Sequence, residues 1–147
     1  MRILTLFILF LGLHGFAQKT PEQSVKDFFK AFHQQDTVAL KQMTQEDLVL
    51  KTIGEGRDGN FMIKTSPRDQ FVSSIGSIPK EMKFEEKILS YETKIDKGFA
   101  SVWTTYEFYL NGKFSHCGIN QIQLFKSSEE EWSIISITDT RRTENCK

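Results

Sequence analysis

The 147-residue sequence predicts an α+β domain in which N-terminal helices pack on one face of a twisted antiparallel sheet. Three observations predict this class. Apolar residues recur at helical spacing after Thr20, strand-like segments follow one another from Phe84 to Arg141, and Asn111-Gly112 lies between two of the longest. Helices first and an antiparallel meander after them have one simple solution, with the helices' apolar stripes buried against one sheet face.

The N-terminus decides which residues belong to that domain. Met1-Arg2 is a short basic start, Ile3 to Leu13 is an apolar run, and Gly15-Phe16-Ala17 places small residues where a signal peptidase reads. A signal peptide over 1–17, cleaved near Ala17, is expected, and with it a secreted or periplasmic protein. The apolar run falls well short of the ~20 residues a spanning helix needs, so no membrane anchor is expected. Residues 18–147 then form a single domain. Without Arg2 the chain carries 18 basic and 19 acidic residues, net −1, with no basic stripe, so neither nucleic acid nor an anionic membrane is expected as a partner. Two cysteines, Cys117 and Cys146, are too few for a zinc site. Export permits a bridge between them, and a buried free Cys117 with Cys146 in the tail is the open alternative.

In chain order, Thr20-Pro21-Glu22-Gln23 predicts a helix start, with Thr20 as cap, Pro21 at the first helical position and Gln23 closing a capping box. Val25, Phe28, Phe29 and Phe32 then share one helical face. Asp36 predicts the cap of a second, short helix carrying Val38, Leu40 and Met43. Leu48 to Ile53 reads as a strand broken by the glycine-rich tract Gly54 to Gly59, and Ser66-Pro67 predicts the cap of a third helix ending near Gly76. Four strands follow: Phe84 to Ile95, Phe99 to Leu110, Lys113 to Lys126 and Trp132 to Arg141.

Hairpin register selects the residues that share a face. A two-residue turn at Asn111-Gly112 predicts Leu110 opposite Lys113, Glu107 opposite His116 and Trp103 opposite Asn120. In the last hairpin, Phe125 opposite Trp132 matches an aromatic pair, Lys126 with Glu131 a charge pair, and Ile122 with Ile135 an aliphatic pair. That register sets Arg141 opposite His116 and Asp139 opposite Gly118. Trp103, Glu107, His116, Asn120, Asp139 and Arg141 are then the expected ligand-binding face, with Val102, Tyr106, Phe108, Ile119 and Phe125 behind it.

The order of elements, the tract from Asn111-Gly112-Lys113 through Ser115-His116-Cys117-Gly118 to Asn120, and the terminal Asp139-Thr140-Arg141-Arg142 resemble the nuclear transport factor 2-like superfamily, especially its small exported members. The likeness covers the whole of 18–147. It implies a strongly curved, cone-shaped, cystatin-like antiparallel sheet enclosing a deep pocket, which ketosteroid isomerases, scytalone dehydratases and polyketide cyclases use for catalysis and many other members use only to bind.

Three functions are therefore expected to compete. The first is an exported domain binding a small, partly apolar molecule in a mixed polar and apolar pocket, with no cofactor and no metal. The second is a cofactor-independent isomerase or dehydratase in which His116 and Asp139 are the catalytic candidates, His116 titrating between Glu107 and Arg141. The third is a homodimeric interaction module using the opposite sheet face. The polar cluster also has a purely structural reading as a hydrogen-bonded network closing the domain. His33, at a helix end, is expected to be solvated or to face the helix dipole.

Overall fold

The computed structural model describes residues 19–129 and 131–146, so the expected signal peptide at 1–17 lies outside the described residues. Helix α1 spans Pro21–Gln34, with the Thr20 hydroxyl accepting the Gln23 amide at 3.1 Å and Pro21 in the first turn. The Gln23 side chain turns to Asp27 at 2.9 Å, so the capping box stays half made. Val25, Phe28, Phe29 and Phe32 are all buried, each contributing about 1.5–3 kcal/mol relative to exposure. The helix ends at Gln35, whose backbone is left-handed. Its side-chain amide donates to the carbonyls of Ile75 and Ile78. Helix α2, Thr37–Met43, is capped by Asp36 as expected.

Strands β1 (Thr44–Glu55) and β2 (Phe61–Pro67) form a hairpin, and helix α3 (Arg68–Gly76) follows. Strand β2 is not foreseen by the sequence reading. The Gly54 to Gly59 tract is the turn of a hairpin, closed by the Gly56 amide on the Asn60 carbonyl at 2.8 Å. Every β2 residue but one is exposed, so the strand has no alternating pattern to betray it. Ser66 consequently lies in β2, and α3 starts from Pro67 with no side-chain cap.

Strands β3 (Phe84–Asp96), β4 (Phe99–Leu110), β5 (Lys113–Lys126) and β6 (Trp132–Arg141) form the antiparallel meander. The six-stranded sheet runs β2-β1-β6-β5-β4-β3, curved and unclosed. One pair within it, β1 with β6, is parallel. Register shifts at Ile88/Ser90, Phe108/Tyr109 and Gln123/Leu124 interrupt the long strands, and bulges of this kind bend a sheet. Val25, Phe28, Leu40, Leu48, Val72, Val102, Ile122, Leu124 and Ile134 belong to one core between the helices and the inner face.

The register shifts correct the expected faces. Leu110 pairs with Lys113, but beyond the shift at Phe108/Tyr109 every β4–β5 pairing moves by one residue: Phe108 faces His116, Glu107 faces Cys117 and Trp103 faces Gln121. A one-residue slip reverses every side chain. Trp103 and Glu107 therefore point to the outer face, Trp103 remaining 43% exposed, while Val102 and Tyr106 are buried. Only Ile119 and Phe125 of the expected interaction face stay outside. The last hairpin differs too, pairing Lys126 with Trp132 and Asn120 with Asp139. At the Asp139 end its displacement is two residues, which preserves the face.

Cys117, buried beside His116, is bridged to Cys146 in the tail, with Cα atoms 5.6 Å apart. The Cys117 and Arg142 backbones also exchange two hydrogen bonds of 2.9 Å. Closing a loop over a sequence separation of 29 residues stabilises a domain by about 2–4 kcal/mol. Cys146→Ser is expected to lower unfolding free energy by about that amount in urea titrations, and a change below ~0.5 kcal/mol would mean that the bridge constrains nothing.

Candidate functional site

A row of polar side chains crosses the inner sheet face from strand to strand. The Asn120 amide nitrogen on β5 donates to Glu86 Oε1 on β3 at 2.7 Å and to the Thr104 hydroxyl on β4 at 3.2 Å. Asp139 on β6 accepts from the Thr52 hydroxyl on β1 at 2.6 Å and from Arg141 Nε at 3.0 Å. Register supplies two of these partners, since Asn120 pairs with Thr104 and Thr52 with Asp139, and it also sets Asn120 beside Asp139. The row is buried where it is most satisfied, Asp139 being 6% exposed.

Above the row lies a cavity of about 370 Å³. Its apolar wall includes Phe28, Phe29, Phe32, Phe71, Phe84 and Phe108, and its polar lining includes Thr52, Lys64, Glu86, His116, Asn120, Asp139 and Arg141. Phe71 stacks on Phe32 with ring centroids 6.3 Å apart, and Phe84 stands edge-on to Phe32 at 5.1 Å. His116 stacks on Phe108 at 4.8 Å and meets the Tyr106 ring edge-on. Tyr106 reaches across Gly118 to donate its hydroxyl to the Thr140 carbonyl at 2.8 Å. Gly118 is required for this crossing, because a Cβ there would collide with that carbonyl and lie 2.9 Å from the Tyr106 ring.

Burial first, and then the Asp139 charge, push the Glu86 carboxyl up to about 7, against opposition from the Asn120 hydrogen bond and Arg141. Burial and then the Arg141 charge hold His116 below the ordinary imidazole value, with Asp139 opposing them. The expected balance between Glu107 and Arg141 does not occur, because Glu107 sits on the other face, where its carboxylate accepts the Tyr109 hydroxyl. His33 is exposed in the last turn of α1, as expected. Its Nε2 accepts the Glu86 backbone amide at 2.9 Å, tying the end of α1 to the outer edge strand.

Of the six residues expected to share a face, the structure brings together His116, Asn120, Asp139 and Arg141 and excludes Trp103 and Glu107. Glu86 and Thr52 are the additions. A signal for Glu86 was present, since Phe84, Glu86 and Ile88 alternate along a strand and the two flanking residues are apolar. No group of residues suited to a metal ion occurs among the described residues, and none of the described helices is long and apolar enough to cross a membrane.

Because the folded-state pKa of Glu86 is raised, its protonated form stabilises the fold, and that contribution is lost as pH rises from about 4.5 through about 7. Glu86→Gln keeps an acceptor for Asn120 without the charge. It is expected to match the wild type at pH 5 and exceed it by roughly 1–3 kcal/mol at pH 8 in urea unfolding. A stability difference that does not vary with pH would place this carboxylate in contact with solvent.

No protein-family model and no curated protein matches the chain. Solved structures do. A protein of unknown function with a cystatin-like fold from Nostoc punctiforme is similar at 9% identity and a TM-score of 0.62, over 84% of this chain and 89% of that one. Nuclear transport factor 2 from Cryptosporidium parvum is similar at 14% identity and a TM-score of 0.61, over 82% and 90%. A ketosteroid isomerase-like protein from Erwinia carotovora atroseptica is similar at 17% identity and a TM-score of 0.57, over 83% and 93%. At these identities the likeness speaks for architecture, and the chain accordingly has the nuclear transport factor 2-like, cystatin-like fold.

Proposed function

We propose that this is an exported domain that binds a small, partly apolar molecule in the cone between α1, α3 and the inner sheet face. The observation that carries the reading is the cavity of about 370 Å³ with phenylalanines on one wall and a strand-to-strand polar row on the other. Cavities of this size with few convergent polar groups suit a compact organic ligand, the rings supplying contact area and the polar row orientation. Export is supported by the basic and apolar start of the sequence and by the Cys117–Cys146 bridge, which persists in oxidising compartments.

A second reading, a cofactor-independent isomerase or dehydratase, is favoured by one further observation. Glu86 holds a carboxyl near 7 against an apolar wall, beside Asp139 and a neutral His116. A group that titrates near the working pH is suited to take a proton and return it. Similarity to a ketosteroid isomerase-like protein supports the same reading.

Protein purified from its native compartment is expected to retain a ligand detectable by native mass spectrometry, and its N-terminus is expected at Gln18. Asn120→Ala and Phe71→Ala are expected to weaken binding of that ligand by about tenfold or more, a larger effect than on folding. The reverse order would make the polar row a structural network. If the ligand exchanges a carbon-bound proton in D2O with the wild type and not with Glu86→Gln, the site is catalytic; absence of exchange leaves a binding protein.

A further inference from the structure

We propose that the cone continues into an anion-recognition subsite at its mouth, and that the ligand is an apolar monocarboxylic acid whose carboxylate lies on Arg141, Arg142 and His116. This rests on the reading of the cone as a ligand pocket and adds the chemistry of the ligand's polar end.

A second cavity, of about 830 Å³, lies between the β1–β2 turn, with Gly56 and Phe61, and the tail from Arg142 to Asn145. Its lining includes His116 and Arg141, which also line the first cavity. One molecule can therefore occupy both, with its apolar body among the phenylalanines and its head at the shared wall.

The donors at that wall are held and unspent. Arg141 commits Nε to Asp139, and Arg142 commits Nε to the Asn145 carbonyl at 3.2 Å. The Nη groups of both have no partner among the described residues. Fixing a guanidinium through Nε orients its plane and leaves the outer nitrogens for a carboxylate. Ser115 Oγ lies 3.1 Å from His116 Nδ1, and the tautomer in which Ser115 donates there leaves Nε2–H as a third donor. Arg142 is well anchored for this task, because its backbone exchanges two hydrogen bonds with Cys117 and the disulfide closes the tail behind it. A site organised before binding spends less affinity on ordering itself.

Counter-charges decide how much anion the site accepts. Glu55 and Glu144 line the outer cavity, and neither forms an ion pair with either arginine among the described residues. Asp139 already offsets part of the Arg141 charge. Arg141 and Arg142 against Glu55, Glu144 and Asp139 leave no net positive charge, so the free guanidinium forks must hold the carboxylate by directed hydrogen bonds, and a phosphate or a second carboxylate is disfavoured.

The probes are 2-naphthoate and its neutral isostere 2-naphthamide, titrated calorimetrically into the full exported chain. The acid is expected to bind at least about tenfold more tightly than the amide, with the preference shrinking as salt is raised. Arg142→Gln, which leaves the phenylalanine wall untouched, is expected to lower affinity for the acid about five- to tenfold and leave the amide unchanged. Arg142→Lys, which keeps charge but loses the fork, is expected to fall between. Equal binding of acid and amide, with both weakened by Phe71→Ala, would overturn the anion subsite and leave the cone reading standing. Failure of the wild type to bind either probe at millimolar concentration would overturn both.

Discussion

The concave face of the sheet is wider than the side chains placed on it, and the site depends on that mismatch. Along the inner row of β5, Ile122 and Leu124 are fully buried in the core shared with α1, whereas Asn120 and His116 face the cavity. The same division holds on β6, where Ile134 belongs to the core and Asp139 and Arg141 to the cavity. Phenylalanine at Phe28, Phe29 and Phe32 lets α1 serve both ends. All three belong to the core cluster and line the cavity as well. Packing at native density leaves few voids, so a cavity of this size amid well-filled surroundings marks a place where filling was not the outcome.

Opposite that wall the sheet must accommodate polar groups away from bulk water, and it does so by sharing them across strands. Asp139 is satisfied twice, by Thr52 from the parallel neighbour and by Arg141 two residues along its own strand. Among the described residues Glu86 receives one side-chain hydrogen bond, from Asn120, and forms no ion pair. The unequal provision explains their different chemistry: burial without a paired charge favours the neutral carboxyl of Glu86. Positioning of that carboxyl reaches outside the cavity as well. His33 accepts the Glu86 amide on the free edge of β3, so the helix that supplies the apolar wall also fixes the strand that supplies the acid. Covering an edge amide in this way also blunts an open sheet edge.

The faces of the strands show where local pattern stops being informative. Asn111-Gly112 correctly predicts the turn, and Leu110 with Lys113 correctly starts the register. Ser115 is then accommodated as an extra residue, and from that point Glu107 and Trp103 lie on the wrong side of a pattern drawn without it. In the last hairpin the pairing also moves, by two residues at Asp139, and because side chains alternate with period two the expected face survives. His116, Asn120, Asp139 and Arg141 are thus legible from sequence, even though their predicted partners are not.

By itself the sequence determines the helices, through Thr20, Asp36 and the phenylalanine spacing, and the four-strand meander, through alternation and turn chemistry. These signals are local, residing in caps, turns and periodicity within a few residues. Only the tertiary structure decides that β1 runs parallel to β6, that β2 is a strand, and that Glu86 from the far edge meets Asn120 and shares a cavity with Asp139. The β1–β2 hairpin is local but its second strand is exposed and without period, whereas the other contacts join residues separated by tens of positions, across a sheet whose register shifts leave no mark in composition or period.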